Sequence, residues 1–253
     1  MDREITRREF TQQALGSIAL FSLFSLLKGR DSLFASAIRP FATHWLADLD
    51  QIGKDVKSDA LKQIEWQKKV EELYSKVDLP EFLKMIDFET LKKKLDNFNG
   101  KGAMSLGVNF PKIEGVPTKF VFGRQLFAMK KGRSIVPHGH DSMATAFLVV
   151  SGSCRGRHYD RLADEKDHMI IMPTIDKEFP TGGASSVSDV KDNVHWFEAL
   201  TDSAFVFNIH VNGLKTNPKS PGRIYIDPNG EKLEGGKIRA RVIDHDETTK
   251  LYG

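Results

Sequence analysis

The amino-acid sequence predicts a mainly β protein in which a barrel is preceded by an α-helical region. Between about residues 42 and 96, apolar residues recur at helical spacing among many charged ones. Beyond residue 102 the pattern changes to short apolar runs that clusters of Gly, Pro, Asp and Asn separate, which is typical of an all-β barrel or sandwich. Two histidines two residues apart, with a third much later in the chain, indicate that distant strands meet around one site.

The first 37 residues have the features of an export signal. Arg7 and Arg8 precede a mildly apolar run from Ala14 to Leu27, and Ala35-Ser36-Ala37 has the small-residue form that signal peptidase cuts. The apolar run is too short for a comfortable transmembrane helix. The segment resembles a bacterial twin-arginine signal, which implies export of the folded protein to the periplasm by the twin-arginine translocase. An amphipathic first helix and an uncleaved membrane anchor are the alternatives.

Residues 38–100 form the predicted helical region. Pro80 suits the first turn of a new helix that begins after Asp78 or Leu79, because its missing N–H would be unpaired there in any case. Large aromatic residues of this region are expected to anchor it against the following domain; they are Trp45, Trp66 and Tyr74. The sequence leaves open whether the region forms a dimer interface or caps one end of the barrel.

Residues 101–253 form the predicted barrel domain. Its clearest strand signals are six short apolar runs, which cover residues 119–129, 145–150, 168–172, 204–211, 223–226 and 237–243. Nothing in this part of the chain approaches the length of a membrane span. We therefore expect a mature protein without a stable membrane span.

Composition excludes some classes of partner. The net charge is +3, from 37 basic and 34 acidic residues that are interspersed, so there is no basic patch of the kind that binds nucleic acid. Cys154 is the one cysteine in the sequence, which rules out an intramolecular disulfide. A lone cysteine is usually a small buried hydrophobe, with a reactive or modified thiol as the alternative.

The residues suited to chemistry are concentrated in the stretch from Gly132 to His140 and in Asn193-Val-His195. Histidines at positions i and i+2 of a strand project to the same face, about 7 Å apart along the backbone, so His138 and His140 can share one metal ion. A barrel can bring His195 to the same place from a distant strand. His158 and His210 also fall on expected barrel strands and are further candidates for lining the pocket.

The spacing Gly-x5-His-x-His, completed by a later histidine, resembles the motifs of the cupin superfamily, whose fold is a double-stranded β-helix barrel. Several stretches further resemble the cysteamine dioxygenase and plant cysteine oxidase family of three-histidine iron thiol dioxygenases. They are His138-x-His140-x-x-Met143, Gly152, Tyr159-Asp160 and Asn193-Val-His195-x-Phe197-x-Ala199-x-Thr201-x-x-Ala204. The resemblance covers about residues 105–215.

This resemblance implies that His138, His140 and His195 bind one iron(II) ion and that Tyr159 is a catalytic residue beside the substrate pocket. It also implies oxidation of a small thiol or a cysteinyl peptide by O2 to a sulfinic acid. Histidine binds other divalent metals as well, so the sequence alone does not fix the metal. Two alternatives stay open: a cupin oxygenase or isomerase that acts on a substrate without sulfur, and a non-catalytic cupin that binds a metal or another ligand.

Two positions depart from the family patterns. The glutamate of the general cupin motif falls by spacing at Thr145, so that carboxylate is missing, which favours the branch with three histidines only. The acidic residue that the thiol dioxygenase family often carries on the strand after its third histidine appears here as Phe207 or Asn208. That departure leaves the substrate open.

Overall fold

The computed structural model describes residues 31–114, 116–216, 218 and 222–253, with side chains described from His44 onward. Arg7, Arg8 and the apolar run from Ala14 to Leu27 lie outside the described residues, so the export signal stays a prediction. Two units divide the chain, Met1–Pro40 and Phe41–Gly253. For the first unit the structure describes helical backbone from Asp31 onward.

The described chain begins with four helices. They are α1 at Asp31–Lys57, α2 at Gln63–Ser75, α3 at Leu79–Met85 and α4 at Phe88–Lys93. The Asp78 side chain accepts a hydrogen bond from the backbone N–H of Glu81 at 3.1 Å and thereby caps α3, whose first turn contains Pro80 as expected. Among the helices that the structure describes, none combines the length and apolar character that a membrane crossing requires.

Eleven strands follow in the described part of the chain. They are β1 Met104–Gly107, β2 Gly123–Lys130, β3 Ser134–Asp141, β4 Met143–Ser151, β5 Cys154–Asp164, β6 His168–Phe179, β7 Ala184–Val187, β8 Val194–Ala199, β9 Ser203–Asn212, β10 Gly222–Lys232 and β11 Ile238–Val242. A single 3₁₀ turn, Glu234–Gly236, lies between the last two strands, and helix α5, His245–Tyr252, ends the chain.

The strands form one sheet and one barrel. Five strands pair in the order β1-β2-β9-β4-β7, and the other six close into a barrel in the order β10-β11-β6-β5-β8-β3. Every pairing is antiparallel, and the chain passes repeatedly between the sheet and the barrel, so distant residues become neighbours. The predicted class, a mainly β barrel preceded by an α-helical region, is confirmed.

The helical region packs on the face of the sheet that points away from the barrel. Residues of β9 alternate between the two faces, and Phe207 and Ile209 join the same buried cluster as Trp66 and Tyr74. The rings of Phe82 in α3 and Phe207 lie 4.8 Å apart in an edge-to-face arrangement. The part of the helical region whose side chains the structure describes therefore covers a face of the sheet.

Two further clusters lie on the two sides of the barrel wall. One fills the inter-sheet space, between the sheet and the barrel, and includes Phe127, Phe147, Phe179 and Phe197. The other fills the barrel interior and includes Tyr159, Met169, Ile171, Val194 and Ile226. Because successive residues of a strand point to opposite faces, β5 and β8 contribute to both clusters. The candidate site lies in the inter-sheet space.

Cys154 is completely buried in the inter-sheet cluster and forms no disulfide. Burial raises the pKa of its thiol to about 12, so the sulfur stays protonated at neutral pH and behaves as a small apolar group. Tyr159, although close in sequence, belongs to the barrel interior on the other side of the wall. The side chains of Cys154 and Tyr159 therefore lie on opposite sides of the barrel wall.

Candidate metal centre

A row of histidines crosses three neighbouring barrel strands. In the antiparallel register, His138 of β3 pairs with His195 of β8, and His195 pairs with His158 of β5. Directly opposed residues of paired strands place their side chains on the same face, which here is the inter-sheet face. His140 follows His138 by two residues and projects the same way. Tertiary structure thus assembles the three histidines that the sequence singled out, with His158 beside them.

An irregularity in β3 sets which of its residues reach the site. The register between β3 and β8 shifts between Ile135 and His138, as it does at a β-bulge. Pro137 lies in this segment, and it has no N–H to offer a neighbouring strand. As a result Ile135 and His138, which are three residues apart, both line the same cavity.

The three imidazoles converge on one point. Potential ligand atoms of His138, His140 and His195 all lie within 4.8 Å of one another. The ring centroids are 4.8 Å apart for His138 and His140, 4.3 Å for His138 and His195, and 5.3 Å for His140 and His195. All three side chains are buried, and no acidic residue belongs to the group. This geometry suits a single divalent ion held by nitrogen ligands.

Hydrogen bonds fix the tautomers of two of these rings. The Nδ1 atom of His138 lies 2.7 Å from the carbonyl oxygen of Val136, and the Nδ1 atom of His195 lies 3.2 Å from that of Asn193. Because a carbonyl can only accept, each Nδ1 carries the proton and leaves Nε2 with a free lone pair. The Nδ1 atom of His140 is buried and finds no partner among the described residues, so this ring has a nitrogen that a ligand would satisfy.

Burial keeps all three imidazoles neutral. It lowers the pKa of His138 and His140 well below the usual range, with neighbouring histidines and Arg223 contributing in the same direction. It lowers the pKa of His195 to about 3, with His158 as a smaller contributor. Neutral imidazole is the form that binds a metal ion, so at neutral pH the cluster needs no deprotonation before it can act as a ligand set.

Asn193 holds two of the three histidines in place. Its Nδ2 donates to the carbonyl oxygen of His140 at 2.9 Å, and its Oδ1 accepts from the backbone N–H of His140 at 3.2 Å. Its own carbonyl accepts from His195. The residue between the two motif histidines must be small, since a Cβ on Gly139 would lie 2.7 Å from Oδ1 of Asn193. One buried amide therefore links β3 to the residue just before β8, beside the three histidines.

Replacing Asn193 with alanine should lower metal affinity by about 10- to 100-fold, the usual cost of removing a group that orients metal ligands. The variant removes the Asn193 bonds to the backbone N–H and carbonyl of His140 and leaves the carbonyl with Arg161 as its side-chain donor, so His140 and its strand gain freedom. Competition with a chromophoric chelator would measure the affinity. Asn229→Ala, which removes an exposed amide outside the site, is the matched control and should bind metal normally. Equal affinities in the two variants would contradict the positioning role.

A cavity of about 300 Å³ opens beside the cluster. Its apolar wall is formed by Phe127, Ile135 and Phe147, and its polar wall comes mainly from the sheet. The polar residues are Gln125, Thr145, Asn208, His210 and Arg223. Among the described residues that line the cavity, none is acidic. The space is at the small end of the range for ligand pockets, and it offers the ligand both a dry side and a hydrogen-bonding side.

A hydrogen-bonded chain crosses the polar wall. Gln125 donates to Oδ1 of Asn208 at 3.0 Å, and Asn208 donates to Oγ1 of Thr145 at 2.6 Å. The Thr145 hydroxyl donates in turn to the carbonyl oxygen of Ile209 at 2.7 Å. Thr145 therefore lines the site where the general cupin motif has glutamate, but its hydroxyl is already committed to the sheet. Of the two positions proposed to replace the family's acidic residue, Asn208 faces the cavity and Phe207 faces the helices.

The remaining residues that the sequence suggested for the pocket occupy three different positions. His210 lines the cavity, and Gly123 opposite it has no side chain because a Cβ there would lie 2.2 Å from the imidazole Nε2. His158 lies behind His195, with ring centroids 6.4 Å apart, and packs on Phe179 instead of facing the cavity. Tyr159, expected beside the pocket, lies in the barrel interior and is absent from the cavity lining.

Two polar side chains of the cavity wall, Gln125 and Arg223, received no role from the sequence. Gln125 and Arg223 stand in runs that the sequence marks only as strands, with no motif around either. Arg223 reaches the site because β10 pairs with β3, which sets Arg223 directly opposite His140. No signal in the sequence specifies that pairing, so only the register shows their positions.

Comparisons with known proteins add little to this description. No family model and no curated protein matches the sequence. Solved structures that match parts of the chain include procruciferin, an 11S globulin from Brassica napus, at 8% identity over 36% of this chain and 21% of that chain, with a TM-score of 0.29. They also include oxalate oxidase in complex with the substrate analogue glycolate, at 11% identity over 49% of this chain and 55% of that chain, with a TM-score of 0.34.

A chain from the structures of two DMSP lyases also matches, at 17% identity over 40% of this chain and 44% of that chain, with a TM-score of 0.28. Each of these matches covers less than half of this chain, and the chain spans less than two thirds of each of the three proteins. Neither the metal nor the reaction follows from likeness at this level.

Proposed function

We propose that this protein is a cupin metalloenzyme, an iron(II)-dependent dioxygenase that oxidises a small thiol with O2 to a sulfinic acid. The observation that supports it is the convergence of three buried, neutral imidazoles beside a cavity without an acidic residue. Iron and the thiol come from the resemblance of the histidine motifs to the three-histidine thiol dioxygenases. The reaction balances as RSH + O2 → RSO2H, in which sulfur is oxidised, both oxygen atoms end on it, and no further reductant is needed.

The donor set fits a divalent ion. The buried Nδ1 atom of His140 lacks a partner, and the lone pairs of His138 and His195 are oriented by their bonds to backbone carbonyls. Iron(II) held by these residues would supply a binding position for a thiolate and the O2 chemistry. Three neutral ligands would leave its charge uncompensated, so this ligand set selects for an anionic sulfur over a neutral one.

The residues of the cavity contribute position and dryness. Phe127, Ile135 and Phe147 form an apolar wall that keeps water from the reacting sulfur. Gln125 and Asn208 form a fixed polar wall, because their amides are held by hydrogen bonds within the sheet. A thiol in this cavity would lie between an apolar face and a polar face, and its sulfur could reach the histidines that line the same cavity.

Oxygen consumption tests the proposal. We expect anaerobically iron-loaded protein to take up O2 when cysteamine, cysteine or a peptide with an N-terminal cysteine is added, and His195→Ala to show no thiol-dependent uptake, because it has lost one of the three ligands. Sulfinic acid formation, measured by mass spectrometry, should match the uptake. Absence of uptake despite stoichiometric iron would refute the proposal for these thiols and would favour a substrate without sulfur.

We also propose that the protein reaches the periplasm through the twin-arginine translocase, which supports insertion of the metal before export. The proposal rests on Arg7, Arg8, the apolar run after them and the small-residue site at Ala35-Ser36-Ala37. Changing Arg7 and Arg8 to lysine should leave the protein in the cytoplasmic fraction at its unprocessed mass. Arg3→Lys, outside the pair, is the matched control. Normal export of the double variant would overturn the assignment.

A further inference from the structure

Arg223 stands where two cavities meet. It lies on β10 directly opposite His140 of β3 and lines the cavity beside the histidine cluster. It also lines a smaller neighbouring cavity of about 140 Å³, which shares Phe127, Ile135 and His138 with the first. Its guanidinium carbon lies 5.9 Å from the centroid of the Phe127 ring. The Arg223 side chain therefore borders both cavities and remains exposed to solvent.

No acidic residue neutralises this charge in the described structure. Every other arginine on the barrel strands forms an ion pair; these are Arg155, Arg157, Arg161, Arg239 and Arg241. Arg223 forms none with any residue in the described part of the chain, and neither cavity has an acidic lining residue there. The segment between Asn212 and Gly222 also contains no Asp or Glu.

The positive charge of Arg223 affects the histidines around the cavity. The pKa of His210 is lowered by burial and then by Arg223, and Arg223 contributes in the same direction, after burial, for each of the three clustered histidines. A metal ion on the cluster would add further positive charge. A ligand that ends in an ammonium group would find a positive charge and no acidic residue among the described lining residues, whereas one that ends in a carboxylate would find a planar bidentate donor.

We propose that Arg223 is the substrate-anchoring residue and that the substrate is a small carboxylate-bearing molecule, whose other end reaches the histidine cluster. The cavity of about 300 Å³ limits the substrate to a small molecule rather than a folded peptide segment. This inference rests on the proposed function for the thiol end of the substrate, which makes the preferred substrate a mercapto acid in place of an aminothiol. The carboxylate would pair with the guanidinium, and the thiol sulfur would face His138, His140 and His195.

Three thiols that differ in the group at one end test the anchoring role of Arg223. They are 3-mercaptopropionate, 2-mercaptoethanol and cysteamine, which share the HS–CH2–CH2 unit and end in a negative, a neutral and a positive group. Binding to iron-loaded protein without O2, measured by calorimetry, avoids any dependence on turnover. Propionate serves as a fourth probe that carries the carboxylate but no sulfur.

We expect wild-type protein to bind 3-mercaptopropionate most tightly and cysteamine most weakly. Arg223→Gln should weaken the binding of 3-mercaptopropionate by about 10- to 100-fold, the usual range for losing a hydrogen-bonded charge pair. The affinity for 2-mercaptoethanol should stay within about twofold of wild type. Arg223→Lys should restore part of the lost affinity, because lysine keeps the positive charge but lacks the planar, bidentate donor geometry of the guanidinium. Arg239→Gln, on the neighbouring strand β11 but paired with Glu165 outside the cavities, is the matched control and should bind all probes as wild type does.

The two proposals fail in distinguishable ways. If no thiol binds but propionate binds in an Arg223-dependent manner, the anion site stands and the thiol reaction falls. If 3-mercaptopropionate binds equally to wild type and Arg223→Gln, or cysteamine binds more tightly than 3-mercaptopropionate, the anchoring role is overturned even if the enzyme oxidises thiols. Iron content and circular dichroism of each variant show that a loss reflects the side chain and not misfolding.

Discussion

Replacing His195 with alanine is expected to abolish tight metal binding. The three imidazoles supply all the ligand atoms in the cluster, and no carboxylate among them could take over the lost position. The affinity should fall by more than about 100-fold, because changes to residues that merely orient a ligand already cost about 10- to 100-fold. Chelator competition and metal analysis after gel filtration measure the loss directly, without any assumption about the reaction.

His158→Phe is the matched control for this prediction. His158 is equally buried, pairs with His195 in the same row, and packs between Phe179 and Phe197, so an aromatic ring can replace it without opening a cavity. Its two ring nitrogens have no partner among the described residues, and it lies outside the group of three converging ligands. The variant should bind metal at full stoichiometry. Loss of metal in His158→Phe, or retention in His195→Ala, would contradict the assignment of the ligands.

Phe207→Ala is expected to cause the largest loss of stability, about 3–5 kcal/mol in the free energy of unfolding. The side chain is fully buried on β9. Its ring centroid lies 4.8 Å from that of Phe82, 6.2 Å from that of Phe110 and 6.4 Å from that of Tyr74. Removing it leaves a void where the helical region meets the sheet. For a chain of this size the loss corresponds to roughly 6–20 °C in melting temperature, which differential scanning calorimetry would resolve.

The same variant tests the separation of the two faces of the sheet. Phe207 points to the helices, whereas the next residue, Asn208, points into the cavity. At a temperature where Phe207→Ala is folded, metal stoichiometry should therefore equal that of wild type. Leu251→Ala, at an exposed apolar residue of α5, is the stability control and should change the unfolding free energy by no more than about 0.5 kcal/mol. A Phe207→Ala effect as small as that of the control would mean that the helices do not depend on this contact.

The features that the sequence predicted are those that arise from local periodicity. Helical spacing identified the region before the barrel, and Asp78 and Pro80 marked the start of a helix because capping and proline effects act within one turn. The i, i+2 spacing of His138 and His140 put both rings on one face because the period of a strand is two. His195 was assigned from a motif, and the fold brings it to the same point.

Strands without an apolar run were harder to detect. β5 contains the polar stretch from Arg155 to Asp160, yet it is a long barrel strand because β6 and β8 pair with its two edges. Its outward arginines are satisfied by ion pairs with neighbouring strands, such as Arg155 with Asp176 and Arg157 with Glu198. Such pairing is a tertiary effect, and hydropathy along the chain does not record it.

What the sequence determined by itself is the class of the fold, the helical region and the pair of ligands two residues apart, because each depends on neighbours along the chain. Only the tertiary structure decided that Tyr159 faces the barrel interior, that Asn193 ties His140 to His195, and that Arg223 stands opposite His140. Those facts depend on strand register and on which face of each strand is covered. A shift of one residue in pairing reverses every side chain of a strand, and that choice is made by contacts between strands far apart in sequence.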